Sequence, residues 1–231
     1  AHEESGIYKW TWFMDEKGVD RPSRSNRARR YEPGGTNVKP GEYRIEISFG
    51  DQTSEQSIKV ISDPRIEVSK QSIDEIYNMS KFLEKITQTT ADAVKQLNNS
   101  KDIANGYVSN LKKLDKKLYK EQIKASTDIV KEIDTLIDLF LGKEDKRQGI
   151  TRNPEVTVMQ RIGLANRYVR SRQNGLTNTE HTLVKHAKDA VNNALAKTNT
   201  FYNDNWNSYK ETMEVLKVSP FKEIKTFAIE D

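Results

Sequence analysis

Two periods of hydrophobic residues divide the chain near Pro64. Before that residue, apolar and polar positions alternate, as in Tyr43-Arg44-Ile45-Glu46-Ile47 and Ser57-Ile58-Lys59-Val60. After it, apolar residues recur every three or four positions for about 150 residues. Alternation is typical of half-buried strands, and the longer period is typical of amphipathic helices. The pattern predicts an α+β protein, with a small antiparallel β module followed by a long antiparallel four-helix bundle.

The β module is expected to contain three strands, over residues 7–14, 42–49 and 54–62. The first strand is rich in aromatic residues, and Gly50-Asp51 is typical of a hairpin turn between the other two. The glycines and prolines of residues 15–40 predict a long loop, with Gly34-Gly35 as a turn. Three strands need cover on at least one face to be stable.

Helix 1 is predicted to begin at Ser69 or at Ser72, and Ser72 would form a capping box with Glu75. It either runs to Asp115 or breaks near residues 98–106, because Gly106 costs a helix about 1 kcal/mol relative to alanine. Asp115 is then expected to cap helix 2.

Local signals bound the remaining helices. Helix 2 ends at Gly142, Pro154 lies in the first turn of helix 3, and helix 3 stops at Asn174-Gly175. Thr177 and Glu180 predict a capping box at the start of helix 4, which ends before Pro220.

The predicted topology brings both ends of the bundle to the β module. Short turns favour antiparallel neighbours, so helix 4 is expected to return to where helix 1 begins. Residues 221–229 alternate again, which predicts a final strand docked on the small sheet. The resulting domains are residues 1–66, 67–218 and 219–231.

Composition narrows the function classes. The net charge of +4 is small for a nucleic-acid-binding protein. No apolar run approaches the 18 or so residues of a transmembrane helix, and the first residues lack the apolar core of a signal peptide. The absence of cysteine excludes disulfides and thiolate metal sites.

The sequence contains no complete catalytic or metal-binding motif. His181 and His186 are five residues apart, so a helix places them on different faces. The acidic residues Glu132, Asp134 and Asp138 lack the Glu-x-x-His partners of a di-metal bundle. No nucleotide-binding loop or nucleophile motif occurs. We therefore expect no cofactor, no metal and no enzymatic activity.

Two groups of residues are candidates for binding. Trp10 and Trp12 would share one side of a strand, where they could stack on a sugar, mark a partner surface or, the favoured reading, pack under the helices. Basic residues cluster at two predicted helix turns: Lys112, Lys113, Lys116, Lys117 and Lys120 at the first, and Arg167, Arg170 and Arg172 at the second.

The predicted topology places both basic turns at the end of the bundle far from the β module. Such a basic tip could bind an acidic glycan, a membrane surface or nucleic acid, although a solvated helix end is the default. No aromatic platform is interleaved, which argues against single-stranded nucleic acid. Trp206 on helix 4 is the candidate contact for a second copy of the chain.

Three short motifs resemble the C-terminal region of bacterial sortilin-like proteins. They are Gly6-Ile7-Tyr8-Lys9-Trp10-Thr11-Trp12, Pro40-Gly41-Glu42-Tyr43 and Asp63-Pro64-Arg65. That family consists of exported β-propellers with Asp-box (BNR) repeats, often labelled glycosyl hydrolases from the repeats alone. This chain has Tyr8 where the family usually has Asn, and Phe-Met follows Trp12 where the family has Asp-Leu-Arg.

The resemblance implies an immunoglobulin-like β module, a helical region that changes direction near Gly149–Pro154, and an exported parent protein. The propeller is absent from this chain, so activities attributed to its blades do not carry over. The expected function is a non-catalytic structural or protein-interaction module, with the parent propeller or another surface protein as its partner. The alternative is a module that binds carbohydrate through Trp10 and Trp12, or an acidic polymer through the basic tip. Exposure of the tryptophans separates these readings, because a buried pair cannot stack on a sugar.

Overall fold

A computed structural model describes residues 6–26, 31–144 and 156–216. Its elements are strands β1 (Asp15–Lys17), β2 (Gly34–Asn37), β3 (Gly41–Phe49) and β4 (Gln52–Val60), and helices α1 (Lys70–Asp115), α2 (Lys120–Leu141), α3 (Val158–Arg170), α4 (Asn178–Phe201), a π-helical segment (Tyr202–Trp206) and α5 (Asn207–Glu214). The strands form two separate two-stranded antiparallel sheets. The predicted mixture of helices with small antiparallel sheets is confirmed at this level.

The chain forms two compact units. Unit 1 contains residues 1–21, 28–89 and 160–188, and therefore all four strands. Unit 2 contains residues 22–27, 90–159 and 189–231.

The predicted hairpin is confirmed. β3 and β4 pair in register from Gly41↔Val60 to Phe49↔Gln52, with Tyr43 opposite Ile58. Gly50 occupies the turn with φ +57°, a conformation that costs glycine little. The turn signal in the sequence therefore placed both strands within two residues of their observed ends.

The predicted strand over residues 7–14 is wrong. Residues 7–13 form no strand, and Met14 has φ 56°, which interrupts an extended chain. Aromatic residues favour strands only where a neighbouring strand is present to pair with them. The residues that do pair come directly afterwards, in β1.

The prediction of an unbroken loop over residues 15–40 is also wrong, because β1 pairs with β2 in this region. Gly34-Gly35 begins β2 and is not a turn. A Cβ on Gly35 would lie 2.4 Å from the carbonyl oxygen of Glu16. The glycine is needed there for the close approach of two backbones, a non-local constraint.

Helix α1 is continuous through Gly106 to Asp115, so the first of the two alternatives is correct and the break near 98–106 does not occur. Ser69 is the cap: its Oγ accepts the backbone N–H of Ser72 at 3.0 Å. The alternative Ser72–Glu75 box is wrong, because the Glu75 carboxylate instead accepts the backbone N–H of Leu176 at 3.1 Å.

Asp115 caps a turn and does not cap α2 directly. Its Oδ1 accepts the backbone N–H groups of Lys117 and Leu118 at 2.8 and 3.0 Å, and these two bonds lower its pKa. Helix α2 begins five residues later. It ends before Gly142, as predicted, with φ 82° at that glycine.

The predicted return of helix 4 to the start of helix 1 is wrong. The start of α4 lies there instead, since Glu75 on α1 contacts both Leu176 and His181. The prediction depended on antiparallel packing of helices that follow one another in the sequence. The contacts of Glu75 join residues about 100 positions apart, which such a rule cannot anticipate.

Each unit has its own apolar core, and the predicted helical stripes supply most of it. The buried apolar residues of unit 1 include Leu83, Ile86, Ile162, Ala165, Val169, Val184 and Ala187. Those of unit 2 include Val94, Leu97, Leu111, Ile133, Ile137, Phe140, Val191 and Met213. Hydrogen bonds join the unit 2 helices: Ser100 pairs with Tyr202 at 3.0 Å, and Ser126 pairs with Tyr209 at 2.9 Å.

Several predictions fall outside the described residues. They are the C-terminal strand within 219–231, the end of helix 4 at Pro220, the position of Pro154 at the start of helix 3, and the change of direction near Gly149–Pro154. No helix in the described part of the chain combines the length and apolar character needed to cross a membrane.

Candidate functional site

The β3–β4 hairpin has two chemically different faces. Residues two apart on a strand share a face, as do residues directly opposite one another. One face, which we call the apolar hairpin face, carries the apolar residues of the hairpin together with Gly41 and three polar residues of β4. The apolar residues are Tyr43, Ile45, Ile47, Phe49, Ile58 and Val60, and the polar ones are Gln52, Ser54 and Gln56, opposite Phe49, Ile47 and Ile45. The other carries Glu42, Arg44, Glu46, Ser48, Thr53, Glu55, Ser57 and Lys59. The hairpin is thus amphipathic, as the alternating sequence predicts.

Little of the described chain covers the apolar hairpin face. Tyr43 and Ile45 are half-buried, whereas Ile47 is 60% and Phe49 79% exposed. Exposure therefore rises towards the turn. Neither outer edge of the hairpin pairs with another strand within residues 6–26, 31–144 and 156–216. An apolar row along β3, from Tyr43 to Phe49, therefore lies on a hairpin whose two edges are unpaired within these residues.

Residues 7–14, the aromatic segment, extend this surface. Trp12 lies against Tyr43 with ring centroids 5.6 Å apart, and its Nε1 donates to the carbonyl of Asp15 at 2.9 Å. Trp10 is 76% and Trp12 37% exposed. The favoured expectation that both pack under the helices is therefore wrong, because the segment is not part of a covered sheet. Ile7, Phe13 and Met14 are exposed as well.

Charged contacts hold β1 and β2 on helix α1. Glu16 on β1 accepts hydrogen bonds from the Tyr77 hydroxyl and from Lys81 Nζ, the latter at 2.9 Å. Lys81 also bonds Glu84 at 2.6 Å, and Glu84 accepts the Thr36 hydroxyl at 2.7 Å. The Tyr77 and Lys81 bonds lower the pKa of Glu16. Bonds to Glu84 and Glu16 raise the pKa of Lys81.

A second anchor lies where β2 leads into the hairpin. Lys39 Nζ bonds Asp74 on α1 at 2.9 Å and stands 4.8 Å from the centre of the Tyr77 ring. The Tyr43 hydroxyl donates to the Lys39 carbonyl at 2.6 Å. The base of the hairpin is therefore fixed to α1, while its apolar face points away from any cover that the described residues provide.

The two basic turns belong to different units. Lys112 and Lys113 end α1 and Lys116 and Lys117 follow them, all exposed and in unit 2. The second set consists of Arg167, Arg170 and Arg172, all exposed and in unit 1. Arg170 and Arg172 share a cavity with residues 36–40 of the β region. The second basic turn therefore adjoins the β region, so the prediction that it lies far from the β module is wrong.

Trp206 packs within unit 2. It closes the π-helical segment, half-buried, with its ring centroid 5.4 Å from that of Tyr209 and 6.3 Å from that of Phe201. A wide turn of this kind re-aims side chains on a helix, and here four aromatic rings, with Tyr202, come together. The remaining surface of Trp206 is open, so its contact with a second copy stays a prediction.

Arg172 contributes to a buried helix cap. Glu180 is fully buried, accepts the Thr177 hydroxyl at 2.6 Å and its backbone N–H at 2.8 Å, and lies 2.9 Å from Arg172 Nη2. The predicted Thr177–Glu180 capping box is confirmed. The Thr177 hydrogen bond first, and Arg172 after it, lower the pKa of Glu180 to about 2.

The cap predicts a defined pH dependence. A carboxylate with a lowered pKa stabilises the fold above its unfolded pKa of about 4.5, and that contribution is lost as pH falls towards about 2. Denaturant unfolding at several pH values measures this contribution. At pH 6, wild type should have a larger free energy of unfolding than Glu180→Gln, and the difference between the two should shrink as the pH falls below 4.5. The exposed Glu211→Gln variant is the control. Parallel profiles for wild type and Glu180→Gln would contradict the assignment.

Residues that sequence reasoning missed as candidates are Phe13, Ile47 and Phe49. The alternating pattern places Ile47 on one face with Tyr43 and Ile45, and such a face is expected to be covered within the chain. Within the described ranges, no three His, Asp or Glu side chains are grouped closely enough to hold a metal ion.

Comparison with known proteins adds no relative. No family model matches the chain, and neither a curated protein nor a solved structure is significantly similar to it.

Proposed function

We propose that this chain is a non-catalytic interaction module, and that the apolar hairpin face is its docking surface. The proposal rests on one observation: Ile47 and Phe49, on the apolar side of an amphipathic hairpin, are exposed. The partner is a β-rich protein surface. The resemblance to sortilin-like proteins nominates the propeller of an exported parent as that partner.

The energetics of small sheets support this reading. A two-stranded hairpin alone is marginally stable in water, and an unpaired apolar edge invites pairing with another chain. A partner that adds strands to the edge of β3 or β4 gains main-chain hydrogen bonds, and its side chains can cover alternate residues. This arrangement would also complete the immunoglobulin-like module that the resemblance implies.

The charged face of the hairpin indicates that the other, apolar face is the one that docks. Arg44 bonds Glu55 across the strands at 3.1 Å and lies 3.7 Å from Glu46. These groups satisfy one another in water, and burying them would cost desolvation. An incoming surface therefore favours the apolar face.

Polar replacement of the exposed apolar residues tests the proposal. We expect the double variant Ile47→Ser/Phe49→Ser to bind the separately produced propeller at least about 100-fold more weakly than wild type, because buried anchors each contribute about 2 kcal/mol. Calorimetric titration measures the affinity. The matched control, Arg44→Ser/Glu55→Ser, changes the opposite face of the same strands and should bind within about threefold of wild type.

Equal binding by wild type and Ile47→Ser/Phe49→Ser would refute the docking surface. Sedimentation of the chain without a partner tests whether the apolar hairpin face binds a second copy of the chain. Self-association that the double variant abolishes would identify a second copy as the occupant and would overturn the proposed partner.

A second candidate function rests on the exposure of Trp10. Exposed tryptophan rings can stack on sugar rings, so the aromatic segment meets the condition for a carbohydrate-binding module. Titration of neutral oligosaccharides against tryptophan fluorescence, with Trp10→Ala as the comparison, tests this function. Saturable quenching that Trp10→Ala removes would favour the glycan over the protein partner.

A further inference from the structure

A cavity in unit 1 lies apart from the apolar hairpin face. It has a volume of about 290 Å³. Its walls come from residues 36–40, the link 62–68 between β4 and α1, the first three turns of α1, and residues 170–173 at the end of α3. Pockets that bind small ligands typically measure about 300–1,000 Å³, so this cavity has the size for one short ligand.

The floor of the cavity is apolar. It is formed by Val38, Ile66, Val68, Ile73 and Ile76, all of which are half-buried. Interiors normally close around aliphatic side chains at high packing density. Here five of them remain partly open around a shared space, so an apolar group entering the cavity would gain contacts without displacing the core.

Most of the charged side chains at the cavity form ion pairs, and Arg170 differs from them. Lys39 is paired with Asp74, and Arg172 with Glu180, each at 2.9 Å. The acid in the wall, Asp63, is held by Arg65 at 2.6 Å. Arg170 lines the cavity and has no ion-pair or hydrogen-bond partner among the residues that the structure describes. Within the described part of the chain, the guanidinium of Arg170 is therefore an unpaired charge beside an apolar space.

We propose that this cavity binds a small amphipathic anion, with a single apolar chain on the aliphatic floor and a carboxylate or phosphate head on Arg170. Arginine suits both heads because its planar fork can donate two hydrogen bonds at once. The volume leaves room for one short chain. The proposal is independent of hairpin docking, because Ile47 and Phe49 do not line the cavity.

Three ten-carbon probes with different heads test the charge requirement. Calorimetric titration of the whole chain should detect saturable binding of decanoate or decyl phosphate, and at least tenfold weaker binding of decanol. Arg170→Gln should weaken binding of the preferred anion at least tenfold. Arg167→Gln is the matched control on the same helix, since Arg167 lies outside the cavity and faces the Tyr168 ring at 5.9 Å.

A second variant tests the floor. Val68→Trp places a large ring in the cavity and should weaken the binding of all three probes. Circular dichroism of this variant checks that the helices remain folded. The anion preferred by wild type distinguishes a carboxylate source from a phosphate source. No binding of either anion to wild type, or equal loss in Arg167→Gln and Arg170→Gln, would overturn the site. Hairpin variants should bind the probes as wild type does, whatever their effect on docking.

Discussion

Replacement of Phe140 by alanine is expected to lower the free energy of unfolding by about 3–5 kcal/mol. Phe140 is the largest fully buried side chain among the residues that the structure describes, and it lies near the end of α2 in the core of unit 2. Removing its ring forfeits apolar transfer energy and leaves a cavity that rigid neighbours cannot fill. Because domains are stable by only about 5–15 kcal/mol, this is a large share of the total.

Urea unfolding followed by circular dichroism measures that loss. Leu118→Ala is the control, because Leu118 is 70% exposed in the turn before α2 and its loss should change stability by less than about 0.5 kcal/mol. A Phe140→Ala protein as stable as Leu118→Ala would show that the unit 2 core is not packed as described.

Gly35→Ala is expected to destabilise the protein by about 3 kcal/mol. The added Cβ would meet the Glu16 carbonyl oxygen at 2.4 Å and the Lys17 carbonyl carbon at 2.9 Å. Both atoms belong to the β1 backbone, so β1 and β2 would have to separate. The hydrogen bonds that Glu16 accepts from Tyr77 and Lys81 would be strained at the same time.

A second glycine supplies the control. Gly163 lies within α3, and a Cβ there meets nothing within 4 Å. Gly163→Ala should therefore raise stability by about 1 kcal/mol through helix propensity alone. Opposite signs for the two substitutions in the same urea experiment are the expected result. A neutral Gly35→Ala would mean that β1 and β2 do not approach as closely as the structure has them.

Local sequence signals predicted local structure well. The turn at Gly50, the cap at Thr177 and the end of α2 at Gly142 each depend on residues a few positions apart, and the structure confirms all three. The apolar stripe of α3 is likewise buried as predicted. Such features need no knowledge of what lies across the fold.

Non-local features could not be derived in this way. Gly35 reads as a turn residue until β1 is known to lie against it. Glu75 has the spacing of a capping box with Ser72, yet the loop before α4 provides a backbone donor at 3.1 Å that takes the carboxylate. The packing of the start of α4 near the start of α1, and the place of Arg170 beside residues 36–40, depend on residues far apart in the sequence. No periodicity encodes such contacts.

The candidate site was half predictable. Alternation in β3 identified an amphipathic face correctly, because the period of a strand is fixed by its geometry. Alternation cannot tell whether the apolar side meets the same chain or another one. The exposure of Phe49 and Ile47 on the hairpin turns an expected core into an expected interface.

Hydrogen exchange tests the central claim most directly. Exchange of the chain alone should be compared with exchange after addition of the separately produced propeller, amide by amide. Docking on the hairpin predicts at least about tenfold slower exchange at the outward-facing amides of residues 41–60, because edge N–H groups become bonded or buried. Unchanged exchange in residues 41–60, with the propeller bound and protection confined to unit 2, would contradict the account.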